Sequence, residues 1–220
     1  MRCCAIIPAY QEACGIARVV EGALRYADEV LVVDDGSSDG TFERAAGAGA
    51  QVVRHRFNAG KGAALGAGLK WAAGGGYEAA VTLDGDGQHD PAEIPRLLDA
   101  LGRGSDIVVG CRMDRPDGMP LDRLLTNMLM STALSVLTKR RLRDTQSGFK
   151  ALRVTKVRGL KLRTSRFDWE SELLIKAAQS GLRVSEVGVS SIYVNHHRSK
   201  IKVVPDAVRF VKLVLLNVVH

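Results

Sequence analysis

Val81-Thr82-Leu83-Asp84-Gly85-Asp86-Gly87-Gln88-His89-Asp90-Pro91 joins an apolar run to two carboxylates, a polar turn and a proline. The apolar run reads as a strand, and Pro91 is placed to open a helix. Residues two apart on an extended chain share a face, so Asp84 and Asp86 can converge on one point at the strand's end. Two like charges so close repel unless a cation neutralises them. Hard oxygen ligands at this spacing suit Mg2+ or Mn2+ bound with help from a substrate phosphate. Gly85 lets a ligand approach the backbone closely. Taken alone, Asp-x-Asp is also a common solvated acidic turn.

Working outward from this stretch, the first half of the chain alternates strand and helix. Strands are expected at Cys3–Pro8, Glu29–Asp34, Gln51–His55, Ala79–Asp84 and Ile107–Gly110. Helices are expected around Gly15–Tyr26, from near Gly40, around Gly62–Ala73 and over Pro91–Leu101. Continuous apolar strands between amphipathic helices predict an α/β fold, a mostly parallel Rossmann-like sheet with helices on both faces. Ligands of such sheets bind beyond the carboxyl ends of the strands. The polar clusters Pro8–Glu12, Asp34–Asp39 and Asp84–Asp90 all follow strands at that end. In the second half, Leu121–Leu137 and Glu170–Ser180 read as helices and Arg183–Val194 as a strand pair.

The 220 residues suffice for one domain with a substantial core. Its first part, 1–110, is expected to bind donor and metal, 111–204 to bind acceptor, and 205–220 to form an apolar C-terminal helix. The segment Asp206–Val219 is too short to span a bilayer; it could pack on the domain, pair with another subunit or lie in the membrane interface. The N-terminus runs directly into Cys3–Ile7 with no cleavage pattern, so no signal peptide is expected. Cys3, Cys4, Cys14 and Cys111 lack Cys-x-x-Cys spacing and read as buried free thiols of a reducing compartment. The net charge is +7, with basic residues dense in 139–143, 153–166 and 196–202 and the acids mostly in the first half. This balance attracts phosphates, nucleic acid or an anionic membrane surface and does not choose among them. Nucleic acid is an unlikely partner, because an aromatic content of 5% offers few stacking platforms.

Two further turns carry candidate contacts. In Leu31-Val32-Val33-Asp34-Asp35-Gly36-Ser37-Ser38-Asp39-Gly40, an aspartate at a strand end can accept from a base or a ribose, or serve turn chemistry with an N-cap at Ser38 or Asp39. Asn58-Ala59-Gly60-Lys61-Gly62 sets a cation on a glycine-rich turn before a helix, a fair phosphate or base contact. It is neither a Walker A loop nor a clean Gly-x-Gly-x-x-Gly, so a dinucleotide site is not expected.

Together with Ile7-Pro8-Ala9-Tyr10-Gln11-Glu12, these motifs resemble the family 2 inverting glycosyltransferases of the GT-A fold. Asp144-Thr145-Gln146-Ser147-Gly148-Phe149-Lys150-Ala151, Phe167–Leu173 and Arg198-Ser199-Lys200-Ile201 resemble the dolichyl-phosphate mannosyltransferase and polyprenyl-phosphate glycosyltransferase branch. The resemblance implies that Pro8, Tyr10, Glu12 and Asp35 hold the nucleoside, with Lys61 and Gly85 beside the donor. It implies that Asp84, Asp86 and Gln88 surround the metal, that Arg112 and Arg123 grip the lipid phosphate, and that the Arg198–Lys200 loop closes over the phosphates. It departs from the branch at Asn127, where a serine is usual, and at His196, where an arginine is common.

The resemblance implies transfer of a hexose from a GDP-mannose or UDP-glucose type donor to a polyprenyl phosphate at the cytoplasmic membrane face, with a membrane-embedded subunit as a further partner. A phosphate acceptor needs positioning by arginines; a hydroxyl acceptor needs a base, for which Asp144, Asp168, Glu170 and Glu172 are the candidates. Asp168 also reads as a helix cap, and Glu170 and Glu172 as partners of nearby cations. His89 reads as a surface or supporting residue, Trp71 and Trp169 as packing, and Met119–Met130 as core or a flexible cover. Alternatives to this function are a saccharide or lipid hydroxyl acceptor, a nucleotidyltransferase and a basic binding module.

Overall fold

The computed structural model describes residues 1–114, 119–164 and 168–192. Its strands are β1 (Cys3–Ala9), β2 (Glu29–Asp34), β3 (Gln51–Arg54), β4 (Ala79–Thr82), β5 (Ile107–Cys111), β6 (Lys150–Arg153) and β7 (Val184–Gly188). They form one sheet in the order β3-β2-β1-β4-β6-β5-β7. All neighbours pair parallel except β6, which is antiparallel to both β4 and β5. The helices are α1 (Ile16–Ala23), α2 (Thr41–Gly47), α3 (Lys61–Gly74), α4 (Ile94–Gly102), α5 (Leu121–Thr138), α6 (Val154–Val157) and α7 (Trp169–Gln179). A single 3-10 turn, Pro91–Glu93, leads into α4, and the Asp90 carboxylate caps it by accepting from the Ala92 N–H.

The sheet is covered on both faces, as expected of buried parallel strands. On one face, Ala5, Ile7, Val30, Val32 and Val81 pack under α1 and α4. On the other, Cys4, Ile6, Ala80, Ile107, Val109 and Leu152 pack under α3, α6 and α7. Cys3 and Cys4 fall into different layers, as neighbours on a strand must. Burial pushes both thiols up to about 12, which makes them inert packing groups. Cys14, expected to be buried, is exposed. Trp169 is buried among these side chains, and Trp71 stacks on Tyr77.

Four expectations are corrected. Over its described residues, 183–192, the expected strand pair gives one strand, β7, parallel to β5, and an isolated antiparallel bridge of Ser191 to His89, while residues 193 and 194 lie outside the described residues. β6 and α6 fall in a stretch with no expected element. Strand β4 ends at Thr82, two residues before Asp84. The cap of α2 is Gly40, while Asp39 accepts from the Thr41 N–H and hydroxyl. The expected C-terminal helix lies outside the described residues.

β1 runs between β2 and β4, so the loops after β1 and β4 open side by side at the carboxyl edge. A crevice of this kind is the usual ligand position in an open α/β sheet.

Candidate active site

Past the end of β4 the chain turns tightly through Gly87, whose φ is 75°. This folds 84–89 back on itself. The Asp84 N–H donates to His89 Nδ1 at 3.2 Å, and the Gln88 N–H donates to Asp86 Oδ1 at 3.0 Å. His89 is buried and stacked on Phe149, with ring centroids 5.2 Å apart. It is therefore a packed support for the Asp84 backbone, not a surface residue. Burial lowers its pKa, consistent with a neutral ring accepting at Nδ1.

The two carboxylates are held unequally. Burial would raise the pKa of Asp84, but the Lys61 ammonium, with Lys150 behind it, lowers it well below the ordinary range. Asp86 is raised, first by burial and then by the Asp84 charge beside it. The pair thus wants one more positive charge than its side chains supply. Among the described residues no three His, Cys, Asp or Glu side chains form a metal cluster. Two carboxylates, with remaining positions left to phosphate oxygens and water, fit Mg2+ or Mn2+ bound together with a diphosphate. The Asp84 carboxylate also lies against Gly148, where an added Cβ would come 2.5 Å from Oδ2.

Lys61, the first residue of α3, reaches this acid pair. Its Nζ lies 2.6 Å from Asp84 Oδ1 and 2.8 Å from Glu170 Oε1. Glu170 is buried in the first turn of α7. Lys150, at the start of β6, is buried nearby and bonds the Ser147 carbonyl. Burial pushes its pKa down to about 8, against the pull of Glu170.

Pro8, Glu12 and Gly85 meet at the mouth of the crevice. A Cβ on Gly85 would touch Glu12 Cγ and the Pro8 carbonyl, each at 3.4 Å. Tyr10 is exposed on the same loop. Asp35 is buried and its carboxylate takes the Ala59 and Gly60 N–H groups at 2.9 and 2.7 Å, with His55 Nδ1 at 2.7 Å. Its visible work is to hold the glycine-rich turn that presents Lys61.

On the other side of the sheet's edge, Arg112 follows β5 and forms a two-pronged pair with Asp144. Its Nε and Nη2 donate at 2.7 and 2.8 Å, and its backbone N–H adds a third bond. Asp144 is fully buried. Arg123 sits half-buried in the first turn of α5 and has no hydrogen bond or ion pair to the acid cluster. One turn later Asn127 accepts from Ser131, which bonds Thr145. Glu172 accepts the Arg163 and Thr164 N–H groups and so pairs with backbone, not with a cation. Asp168 stands at the cap position of α7 without a side-chain cap bond. Arg198, Lys200 and His196 lie outside the described residues.

A sequence model of Glycosyl transferase family 2 matches residues 4–160, most of the chain. The chain belongs to glycosyl transferase family 2. A UDP-N-acetylglucosamine–dolichyl-phosphate N-acetylglucosaminyltransferase of Methanococcus voltae is 32% identical over 219 residues, covering 89% of this chain and 87% of its own. An undecaprenyl-phosphate mannosyltransferase of Micrococcus luteus is 32% identical over 206 residues, covering 87% and 84%. The fold is shared with glucosyl-3-phosphoglycerate synthase from Mycobacterium tuberculosis, crystallised with Mn2+, UDP and phosphoglyceric acid. That match has a TM-score of 0.75 and 22% identity, and covers 99% of this chain and 77% of the other. As a family 2 member, the chain is an enzyme of glycosyl transfer.

Three features of this family 2 site escape a linear reading. Lys61, Asp84 and Glu170 are far apart in sequence and meet only through the sheet. The crowding of Asp84 by Gly148 depends on β6 running antiparallel beside β4. Lys150 is a lysine in a core position, which periodicity alone reads as solvent-facing.

Proposed function

We propose that this enzyme moves a hexose from a nucleotide sugar to a polyprenyl phosphate, working at a membrane surface. The observation that carries the reading is the identity of about one third, over most of the chain, with two relatives named for lipid-phosphate acceptors. The site's chemistry agrees with it. A phosphate monoester is largely dianionic near neutral pH and can attack without a base. Of the four candidate bases, Asp144 is committed to Arg112, Glu172 to backbone N–H groups and Glu170 to an ion pair with Lys61.

In this reading Pro8, Tyr10 and Glu12 border the nucleoside and Asp35 sets the turn beneath it. Asp84 and Asp86, with Gln88 beside them, hold Mg2+ or Mn2+, which supplies charge neutralisation for the departing diphosphate. Arg112, Arg123, Arg198 and Lys200 are assigned to the phosphates. An acceptor phosphate oxygen forms a bond to the anomeric carbon from the side opposite the donor oxygen. The bond to the nucleoside diphosphate breaks with its electron pair, and the sugar inverts.

Helix α5 supplies the membrane side of the proposal. Leu121, Leu125, Met128, Leu129 and Val136 are 53 to 75% exposed. At about 100° per residue they share one arc of roughly 100°. The opposite face, with Asn127, Ser131 and Leu134, is buried. Lys139 and Arg141, both exposed, follow at its end. No helix among the described residues is long and apolar enough to cross a bilayer. An apolar face ending in basic residues fits an in-plane position on anionic lipid. Leu125→Glu/Leu129→Glu is expected to cut sedimentation with phosphatidylglycerol vesicles at least tenfold while leaving the unfolding midpoint unchanged; equal sedimentation would remove α5 from the contact.

The function is tested by turnover. Purified protein, undecaprenyl phosphate in detergent, Mn2+ or Mg2+ and a panel of GDP- and UDP-sugars are expected to yield a lipid-linked sugar phosphate that disappears with chelator. Nucleotide release without a lipid product would reject the lipid-phosphate acceptor.

A further inference from the structure

Glu170 is 3% exposed and carries one ion pair, from Oε1 to Lys61 at 2.8 Å. Its Oε2 is buried with no hydrogen-bond partner among the described residues. An open acceptor on a buried carboxylate is costly to keep, and native folds seldom keep one without use. The same ammonium lies 2.6 Å from Asp84 Oδ1, and Lys61 is itself largely buried. Thus one cation is shared between a carboxylate of the proposed metal pair and a carboxylate outside it.

A divalent cation on Asp84 competes with the Lys61 ammonium at this distance, because two positive charges would share one carboxylate. The ammonium then shifts away from Asp84, and a buried charge that leaves one anion needs another to meet it. Glu170 meets that need. Its Oε1 already holds the ammonium, and Oε2 offers a second lone-pair position. We propose that Glu170 is a positioning residue that takes Lys61 off Asp84 when the divalent cation binds. Without the cation Lys61 occupies its charge position and keeps the acid pair from repelling. With the cation, Lys61 and Glu170 form a closed neutral pair beside it.

The inference rests on Asp84 and Asp86 being the cation site. Its test is Mn2+ affinity, read from the electron paramagnetic resonance of free Mn2+, with GDP or UDP saturating. Wild type is expected to bind and Asp86→Ala to lose binding. Glu170→Gln, which removes the carboxylate charge that faces Lys61 opposite Asp84, is expected to weaken Mn2+ about 10- to 100-fold, the range for outer-sphere partners of metal sites. Adding Lys61→Met to Glu170→Gln is expected to recover most of that loss, which a merely structural role for Glu170 would not do. Glu170→Asp, retained in case the amide variant folds poorly, is expected to fall between Glu170→Gln and wild type. Wild-type affinity in Glu170→Gln or Glu170→Asp, or a double variant as weak as Glu170→Gln, overturns the proposal while leaving the metal site standing. Wild type without Mn2+ binding, or binding untouched by Asp86→Ala, overturns both.

Discussion

Gly148→Ala is expected to lower kcat/KM for sugar transfer by at least about 100-fold while the protein still folds. A Cβ at this position would stand 2.5 and 2.7 Å from the two Asp84 carboxylate oxygens and 2.8 Å from Cγ. The backbone is the stiffer side and the carboxylate is the one that yields. The Gly148 carbonyl accepts from the buried Thr82 hydroxyl at 2.6 Å, which ties the backbone to β4. Asp84 is held from the other direction by Lys61. The carboxylate therefore has to turn away from its working position, and a displacement of about 1 Å in a reacting site costs on the order of 100-fold. The measurement is steady-state turnover beside Mn2+ affinity and a urea unfolding curve. Full turnover would mean that Asp84 does not act from where it stands.

Arg112→Met is expected to destabilise the protein by about 3–5 kcal/mol at neutral pH, as loss of one partner from a buried pair does. Asp144 would retain the Arg112 backbone N–H but lose both guanidinium bonds. The pH dependence has a definite sign. Burial acts to raise the Asp144 pKa, and the Arg112 hydrogen bonds and charge lower it below the unfolded value of 3.8. In wild type this contributes stability above that value and loses it as pH falls through the folded pKa. In the variant, burial is no longer opposed by Arg112, so protonation relieves it. The stability gap between the two proteins is expected to narrow as pH falls toward 4. Arg112→Met/Asp144→Asn is expected to recover much of the stability at pH 7 without recovering acceptor binding. Recovery of both would confine Arg112 to the fold. Urea unfolding at pH 7 and about 4.5, with a KM for lipid phosphate, decides among these outcomes.

The fold was most legible where residues have one possible use. Glu29–Asp34 reads as a strand because each apolar residue is buried in a parallel layer, and β2 has those bounds. β6 was illegible for the converse reason. It begins with Lys150, follows Gly148 and spans four residues, so neither alternation nor an apolar run marks it. The two acids stand out in the sequence, but the strand-end spacing that was to join them does not apply, since β4 ends at Thr82 and both lie in the turn beyond it. The partnership of Lys61 with Glu170 was not legible, since Glu170 reads locally as an ordinary first-turn acid on α7. Asp35 was legible as a special residue. Its hydrogen bonds to the 59–60 turn show a task in holding the turn that presents Lys61, which strand-end position alone does not reveal.

The reversed strand has a consequence for how this enzyme can diversify. Because β6 runs against β4, residues 147–149 stand at the carboxyl edge, with the Gly148 carbonyl bound to Thr82 and the Gly148 Cα against Asp84. The same segment continues from Asp144 and Thr145, the partners of Arg112 and of Ser131 on α5. In the proposed function, changes there are expected to be read at the donor and the acceptor together, and retuning one without the other calls for surfaces that bypass this segment. The outer face of α5 and the Tyr10 loop are such surfaces, and a library aimed at new acceptors or new sugars should be drawn from them.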